Sequence, residues 1–105
     1  MKTVITAELQ VVALGTGNTS MSQHVSEAVS AIGKLGIKYS LTPMGTAIEA
    51  ASMDEVFDAV KTVHEALVRT GVKRVVTHLA IDDRRDSPKS MEEKVESVKN
   101  KLKIR

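Results

Sequence analysis

The sequence predicts an α+β fold: two βαβ cycles that build one antiparallel sheet, followed by an additional C-terminal helix. Three observations carry this reading. Period-two alternation of apolar residues marks the strands, while apolar residues at helical spacing fill the stretches between them. Two helix-to-strand junctions look alike, Gly36-Ile37-Lys38 and Gly71-Val72-Lys73, which marks an internal pseudo-repeat. Beyond Asp82 the chain turns polar, and a narrow apolar stripe then resumes in the tail.

Taken in order, Val4 to Leu14 reads as a strand, with Ile5, Ala7, Leu9 and Val11 on one side and Thr6, Glu8, Gln10 and Val12 on the other. Gly15-Thr16-Gly17-Asn18-Thr19 is a turn by composition. Ser20 with Gln23 suggests a capping box, and Val25, Ala28, Val29, Ile32 and Leu35 recur at helical spacing up to Gly36. Ile37 to Thr42 is a short strand, and Pro43 with Gly45 marks a tight connection. The second cycle begins with a strand from Met44 to Ala51. Ser52 and Glu55 form a second capping box, and Val56, Val60, Val63 and Leu67 give the next helix its apolar face. Val72 to Ile81, rich in β-branched residues, is the last strand. Ser87-Pro88 opens a tail helix over about 88–103, striped by Val95, Val98 and Leu102.

The order βαββαβα points to a ferredoxin-like βαββαβ sandwich: a four-stranded antiparallel sheet with two helices on one face, plus the C-terminal helix. Those two helices leave the second sheet face open. Strand parity assigns to it Thr6, Glu8, Gln10, Glu49, Arg74, Val76, His78 and Asp82, with Val12, Ala47 and Ala80 interspersed. That mixture is too polar for a simple core and too apolar for a fully wet surface. A partner sheet enclosing polar groups fits both facts, so a homo-oligomer is expected.

Composition narrows the function classes. The 105 residues make one domain, 1–105, with one core. Hydrophobic content of 42% and charged content of 27% are those of an ordinary water-soluble protein, and no apolar run reaches the length of a membrane span. The net charge of +2 is not gathered into a basic stripe, and Tyr39 and Phe57 are the only aromatics of the Phe/Trp/Tyr type, which argues against nucleic acid. Without cysteine there is neither a disulfide framework nor a thiolate metal site. Glu8 and Gln10 interrupt the N-terminal apolar stretch, so no signal-peptide layout is expected and the cytoplasm is the plain localisation.

Glu49, inside the apolar run Met44-Gly45-Thr46-Ala47-Ile48, is the leading candidate site residue. A carboxylate on a central strand needs a partner: a cation, a hydrogen-bond donor or a ligand. Glu8 and His78 converge with it if strands one, three and four are neighbours. The competing reading is an interface ion pair, such as Glu49 with Arg74. His24, His64 and His78 lie on three separate elements, so no metal is expected. The loop containing Thr16, Asn18 and Ser20 leads into a helix N-terminus and can offer hydroxyl and amide contacts, yet it lacks the Walker and dinucleotide signatures. In Asp82-Asp83-Arg84-Arg85-Asp86, Asp82 can reach the open face. Arg84 and Arg85 can bind a carboxylate or phosphate, or join an interface network. No serine sits in a nucleophile elbow, no catalytic residue stands out, and no enzyme is expected.

Several motifs together resemble a family of small thiamine-binding proteins. They are Ile5-Thr6-Ala7-Glu8, Gly15-Thr16 with Ser20, Met44-Gly45-Thr46 with Glu49, Ile81-Asp82-Asp83-Arg84-Arg85-Asp86, and Lys94-Val95-Glu96-Ser97-Val98. The resemblance implies a ferredoxin-like fold, dimers that associate through their sheets into a homotetramer, and binding of thiamine or its hydroxymethylpyrimidine moiety. Its implied role is carriage or sequestration, without a further cofactor. It makes Thr16, Ser20, Thr46 and Glu49 ligand candidates, with Gly45 letting the backbone approach and Asn18 beside them. The alternative is a structural or regulatory homo-oligomer with no small-molecule ligand.

Overall fold

Strand β1 (Ile5–Leu14) lies inside the sheet, paired on both sides, and its alternation lets one face feed the core and the other stay open. The computed structural model describes residues 3–103. The elements follow as α1 (Ser22–Lys34), β2 (Lys38–Leu41), β3 (Thr46–Ala50), α2 (Met53–Arg69), β4 (Arg74–Asp82) and α3 (Met91–Lys103). The strands are antiparallel in the order β2-β3-β1-β4, the ferredoxin-like arrangement.

The helix-facing side is apolar and closed. Ile5, Ala7 and Leu9 of β1 and Ile48 and Ala50 of β3 meet Ala28 and Ile32 of α1 and Val56, Ala59 and Val63 of α2. Ile5, Ile32, Ile48, Leu67, Val56 and Val63 are fully buried. At about 1.5–3 kcal/mol for each such side chain taken out of water, this layer dominates the stability of the fold. Both helices end as the sequence implies: Gly36 (φ 74°) and Gly71 (φ 96°) adopt the left-handed conformation that lets the chain turn back into a strand.

Helix starts follow the sequence at α2 and depart from it at the other two. Ser52 Oγ accepts from the Glu55 N–H, and the Glu55 carboxylate accepts from the Ala51 N–H. For α1 the residue before the helix is Met21, with no side-chain cap, so the expected Ser20–Gln23 box does not form. Ser20 is instead held by the Asn18 side chain, which accepts the Ser20 N–H at 2.9 Å. That local turn competes successfully with capping. For α3 the start moves from Ser87-Pro88 to Met91. Ser90 Oγ accepts the Glu93 N–H and the Glu93 carboxylate accepts the Ser90 N–H, both at 3.1 Å, a reciprocal box that outweighs the proline signal.

Helix α3 lies on the other side of the sheet from α1 and α2 and buries no residue. The radius of gyration, 15.3 Å, exceeds the roughly 13 Å of a compact chain this long.

Candidate functional site

Register fixes the open face. Thr6 stands opposite Glu49 and Asp82, Glu8 opposite Ala47 and Ala80, Gln10 opposite His78, Val12 opposite Val76, and Leu14 opposite Arg74. Lys38 and Ser40 of β2 extend the same face beside Glu49 and Ala47. Every residue that strand parity assigned to this side is there.

The first turns of α3 rest on one end of that face through polar links. Glu49 accepts the Met91 backbone N–H at 2.8 Å and lies 3.9 Å from the Lys38 ammonium. A carboxylate at a helix N-terminus meets unpaired N–H groups and the positive end of the helix dipole. Lys38 also pairs with Glu92 at 2.7 Å; this bond holds the Glu92 carboxyl below its usual range and the Lys38 ammonium above its own. Lys94 donates to Thr6 Oγ1 at 2.6 Å and to the Asp82 carboxylate. The charge that looked awkward on β3 is thus what seats the tail helix.

Between α3 and the sheet lies a cavity of about 420 Å³, within the range of small-molecule sites. Its floor includes Thr6, Glu8, Ala47 and Ala80; Met91, Lys94 and Val95 form the roof. The walls are largely apolar, and three charged groups reach it. Asp82 and Lys94 neutralise one another, whereas among the described residues the Glu8 carboxylate forms no ion pair. Such a site suits a cation or an amine-bearing ring that brings apolar surface with it.

The other sequence candidates are dispersed. Gly45 and Thr46 belong to a second cavity, about 340 Å³, between β1, the start of α1 (Met21, Val25) and the β2–β3 connection. Thr46 points toward the helices, opposite Leu9, and is buried. Gly45 is required by β1: an added Cβ would sit 3.1 Å from the Leu9 carbonyl oxygen and from Gln10 Cγ. Thr42 Oγ1 accepts the Gly45 N–H, and the Gln10 amide donates to the Met44 carbonyl, so this connection is locked to the sheet. Thr16, Asn18 and Ser20 lie in an exposed loop at the far end of β1, and their polar atoms close the loop's own turns. About eight strand residues, roughly 27 Å, separate that end from Glu49.

His78 is exposed and shares a shallow depression of about 250 Å³ with Glu8 and Gln10. Glu8 and His78 therefore neighbour each other, whereas Glu49 turns to α3. Arg74 lies opposite Leu14, out of reach of Glu49 in the same protomer. Arg84 chelates Asp86 and Arg85 chelates Asp83, which lowers both carboxyls and raises both guanidinium groups. His64 Nδ1 bonds Thr77 Oγ1 at 2.8 Å on the core side. Among the described residues no three His, Cys, Asp or Glu side chains gather as a metal site, and no helix is long and apolar enough to cross a membrane.

Sequence reasoning missed Lys38, Met91 and Lys94. The Ser90-x-x-Glu93 box was the available signal: it fixes where α3 starts, and so which of its residues meet Glu49 and Asp82.

Comparison with known proteins adds a family. Residues 7–99 match the family model described as thiamine-binding protein. The chain is 50% identical over 99 residues to a UPF0045 protein of Methanothermobacter thermautotrophicus, covering 94% of this chain and 100% of that one. It is 39% identical to the UPF0045 protein YqgV of Bacillus subtilis, covering 91% and 95% of the two chains. Among solved structures, a hypothetical protein from Methanocaldococcus jannaschii superposes with a TM-score of 0.83 at 33% identity, covering 93% of this chain and 97% of that one. A Thermotoga maritima protein, provisionally described as acting in thiamine biosynthesis or salvage, gives a TM-score of 0.74 at 27% identity, with 90% and 98% covered.

Proposed function

We propose a ligand for this chain, which belongs to the thiamine-binding protein family: thiamine or its hydroxymethylpyrimidine moiety, bound in the cavity between the open sheet face and α3. The observation that carries the reading is the Glu8 carboxylate, which faces a largely apolar cavity while the neighbouring Asp82 is neutralised by Lys94. A thiazolium cation offsets that charge, and an aminopyrimidine can donate its exocyclic amine to the same oxygens. Thr6 and Ser40 supply further hydroxyl groups at the cavity wall. Glu49 acts through α3, by fixing the roof. Gly45 and Thr46 serve the neighbouring cavity, which offers a neutral ring a second place.

The role in this reading is non-enzymatic carriage or sequestration in the cytoplasm, which the match to the thiamine-binding protein family supports. The exposed apolar residues Val12 and Leu14 beside the polar groups of the open face support a homo-oligomer, with dimers pairing through their sheets into a homotetramer.

Calorimetric titration with thiamine and with hydroxymethylpyrimidine tests the reading. Saturable binding of at least one is expected, and Glu8→Gln should weaken thiamine at least tenfold, about 1.4 kcal/mol. No heat with either ligand up to millimolar concentration defeats the proposal. An unchanged affinity in Glu8→Gln together with a loss in Thr46→Val would move the site to the second cavity.

A further inference from the structure

We propose that the cavity under α3 selects a free alcohol over its phosphate esters, so that its ligand class is an unphosphorylated ring bearing a cation or an amine. The inference rests on the ligand reading above and comes from the charges around the cavity. A phosphate group binds where the backbone N–H groups of a helix start, a lysine or a bidentate arginine stand ready for it. All three kinds of group occur at this end of the sheet. Each already holds a carboxylate of the chain itself.

The helix start is that of α3. Its Met91 N–H donates to Glu49 at 2.8 Å, and the preceding Ser90 N–H donates to Glu93 at 3.1 Å. Two carboxylates thus occupy the place where the positive end of the helix dipole would hold an anion. The lysines are Lys94 and Lys38. Lys94, the one cation lining the cavity among the described residues, donates to the Asp82 carboxylate and to Thr6 Oγ1 at 2.6 Å. Lys38 lies 2.7 Å from Glu92 and 3.9 Å from Glu49. The arginines follow Asp82 in the chain, where Arg84 chelates Asp86 and Arg85 chelates Asp83. Strands β1 and β3, which supply the floor, contain no lysine or arginine.

Glu8 completes the selection. Its carboxylate lines the cavity and forms no ion pair among the described residues. A phosphate monoester brings about 1.5–2 negative charges near neutral pH. To find a cation it must displace a carboxylate, which exchanges one anion for another and leaves the displaced acid and Glu8 beside it. Like charges so placed oppose binding. The free alcohol, which carries only the charge of its ring, meets no such opposition.

Calorimetric titration of the full chain at low salt tests it, with thiamine against thiamine monophosphate and diphosphate, and hydroxymethylpyrimidine against its monophosphate. The free alcohol should bind at least tenfold more tightly than its monophosphate, about 1.4 kcal/mol, and the diphosphate should be weaker still. Two charge variants separate charge from size. Glu8→Gln removes the repelling carboxylate, and Asp82→Asn, at an exposed position, releases Lys94 for an anion. Each should narrow the gap between alcohol and monophosphate by roughly threefold or more. An ester that binds as tightly as the alcohol, or more tightly, overturns this proposal and leaves the thiamine reading standing. A gap that neither variant narrows also overturns it, because size and not charge then excludes the ester. Absence of binding by both alcohols defeats the ligand reading itself, and this proposal with it.

Discussion

The two faces of the sheet are covered by different physics. On one, α1 and α2 bury Ile5, Ile32, Ile48, Val56, Val63 and Leu67 completely. On the other, α3 buries no residue and is held by Glu49, Lys38, Asp82 and Thr6. Apolar contact is short-ranged and nearly indifferent to salt and pH, whereas charge pairing at a surface responds to both. The first layer therefore sets whether the chain is folded. The second sets whether the cavity has a roof, and it can change without unfolding the domain.

Substitutions at two adjacent residues of β3 separate the layers most sharply. Ile48, fully buried, faces the core, and Ile48→Ala should lower global stability by about 2–5 kcal/mol in chemical denaturation. Next to it, Glu49→Ala removes the acceptor of the Met91 N–H. It should destabilise the docking of α3 by about 1–2 kcal/mol while leaving the denaturation midpoint of the core little changed. Native-state hydrogen exchange reads this directly, with amides of Met91 to Ser97 exchanging roughly tenfold faster and those of β1 and α2 unaltered. Equal acceleration in both regions would mean that the two layers are one cooperative unit, and the comparison would fail.

Lys94→Met comes next in size. It keeps an apolar stem, frees Thr6 and leaves Asp82 unpaired beside the cavity. The cavity then carries two uncompensated carboxylates, so affinity for a cation such as thiamine should rise if the roof stays in place. If the lost tether matters more than the charge, affinity falls instead. Titration of this variant beside Glu49→Ala distinguishes the two terms, since the latter loosens the roof without adding charge to the cavity.

The sequence carried the core and the faces well, and the contacts across α3 poorly, for a definite reason. Period-two alternation at Thr6, Glu8 and Gln10 and at Ala47 and Glu49 settled which side each residue occupies, because one strand residue fixes the parity of the rest. The glycines after α1 and α2 announced their helix ends for an equally local reason. Which partner Glu49 meets depends on where a helix some forty residues later begins. Two start signals competed there, Ser87-Pro88 and Ser90-x-x-Glu93, and a shift of three residues changes which backbone amide reaches the carboxylate. The stripe Val95, Val98 and Leu102 was visible too, but only the folded protomer shows that it stays exposed instead of feeding the core.

The smallest effect expected is also the most specific to the polar layer. The bond to Lys38 lowers the Glu92 pKa in the folded protein, so its contribution is fully present above the ordinary carboxylate value and is lost as pH falls through the lowered one. Lys38 is shifted upward, so its share is present below the ordinary lysine value and lost only as pH rises through the raised one. The docking of α3 should accordingly be flat through neutral pH and mild acid, and weaken only as the pH falls below the ordinary carboxylate range. The Met91 methyl resonance, followed by NMR between neutral and acid pH, reports it at the cavity roof. Glu92→Gln should remove the part of the acid transition that belongs to this pair. Added salt should weaken the wild-type link at neutral pH, both groups being largely exposed. A Met91 resonance that moves only when β1 and α2 unfold would place α3 with the core, and the division between the two faces would have to be abandoned.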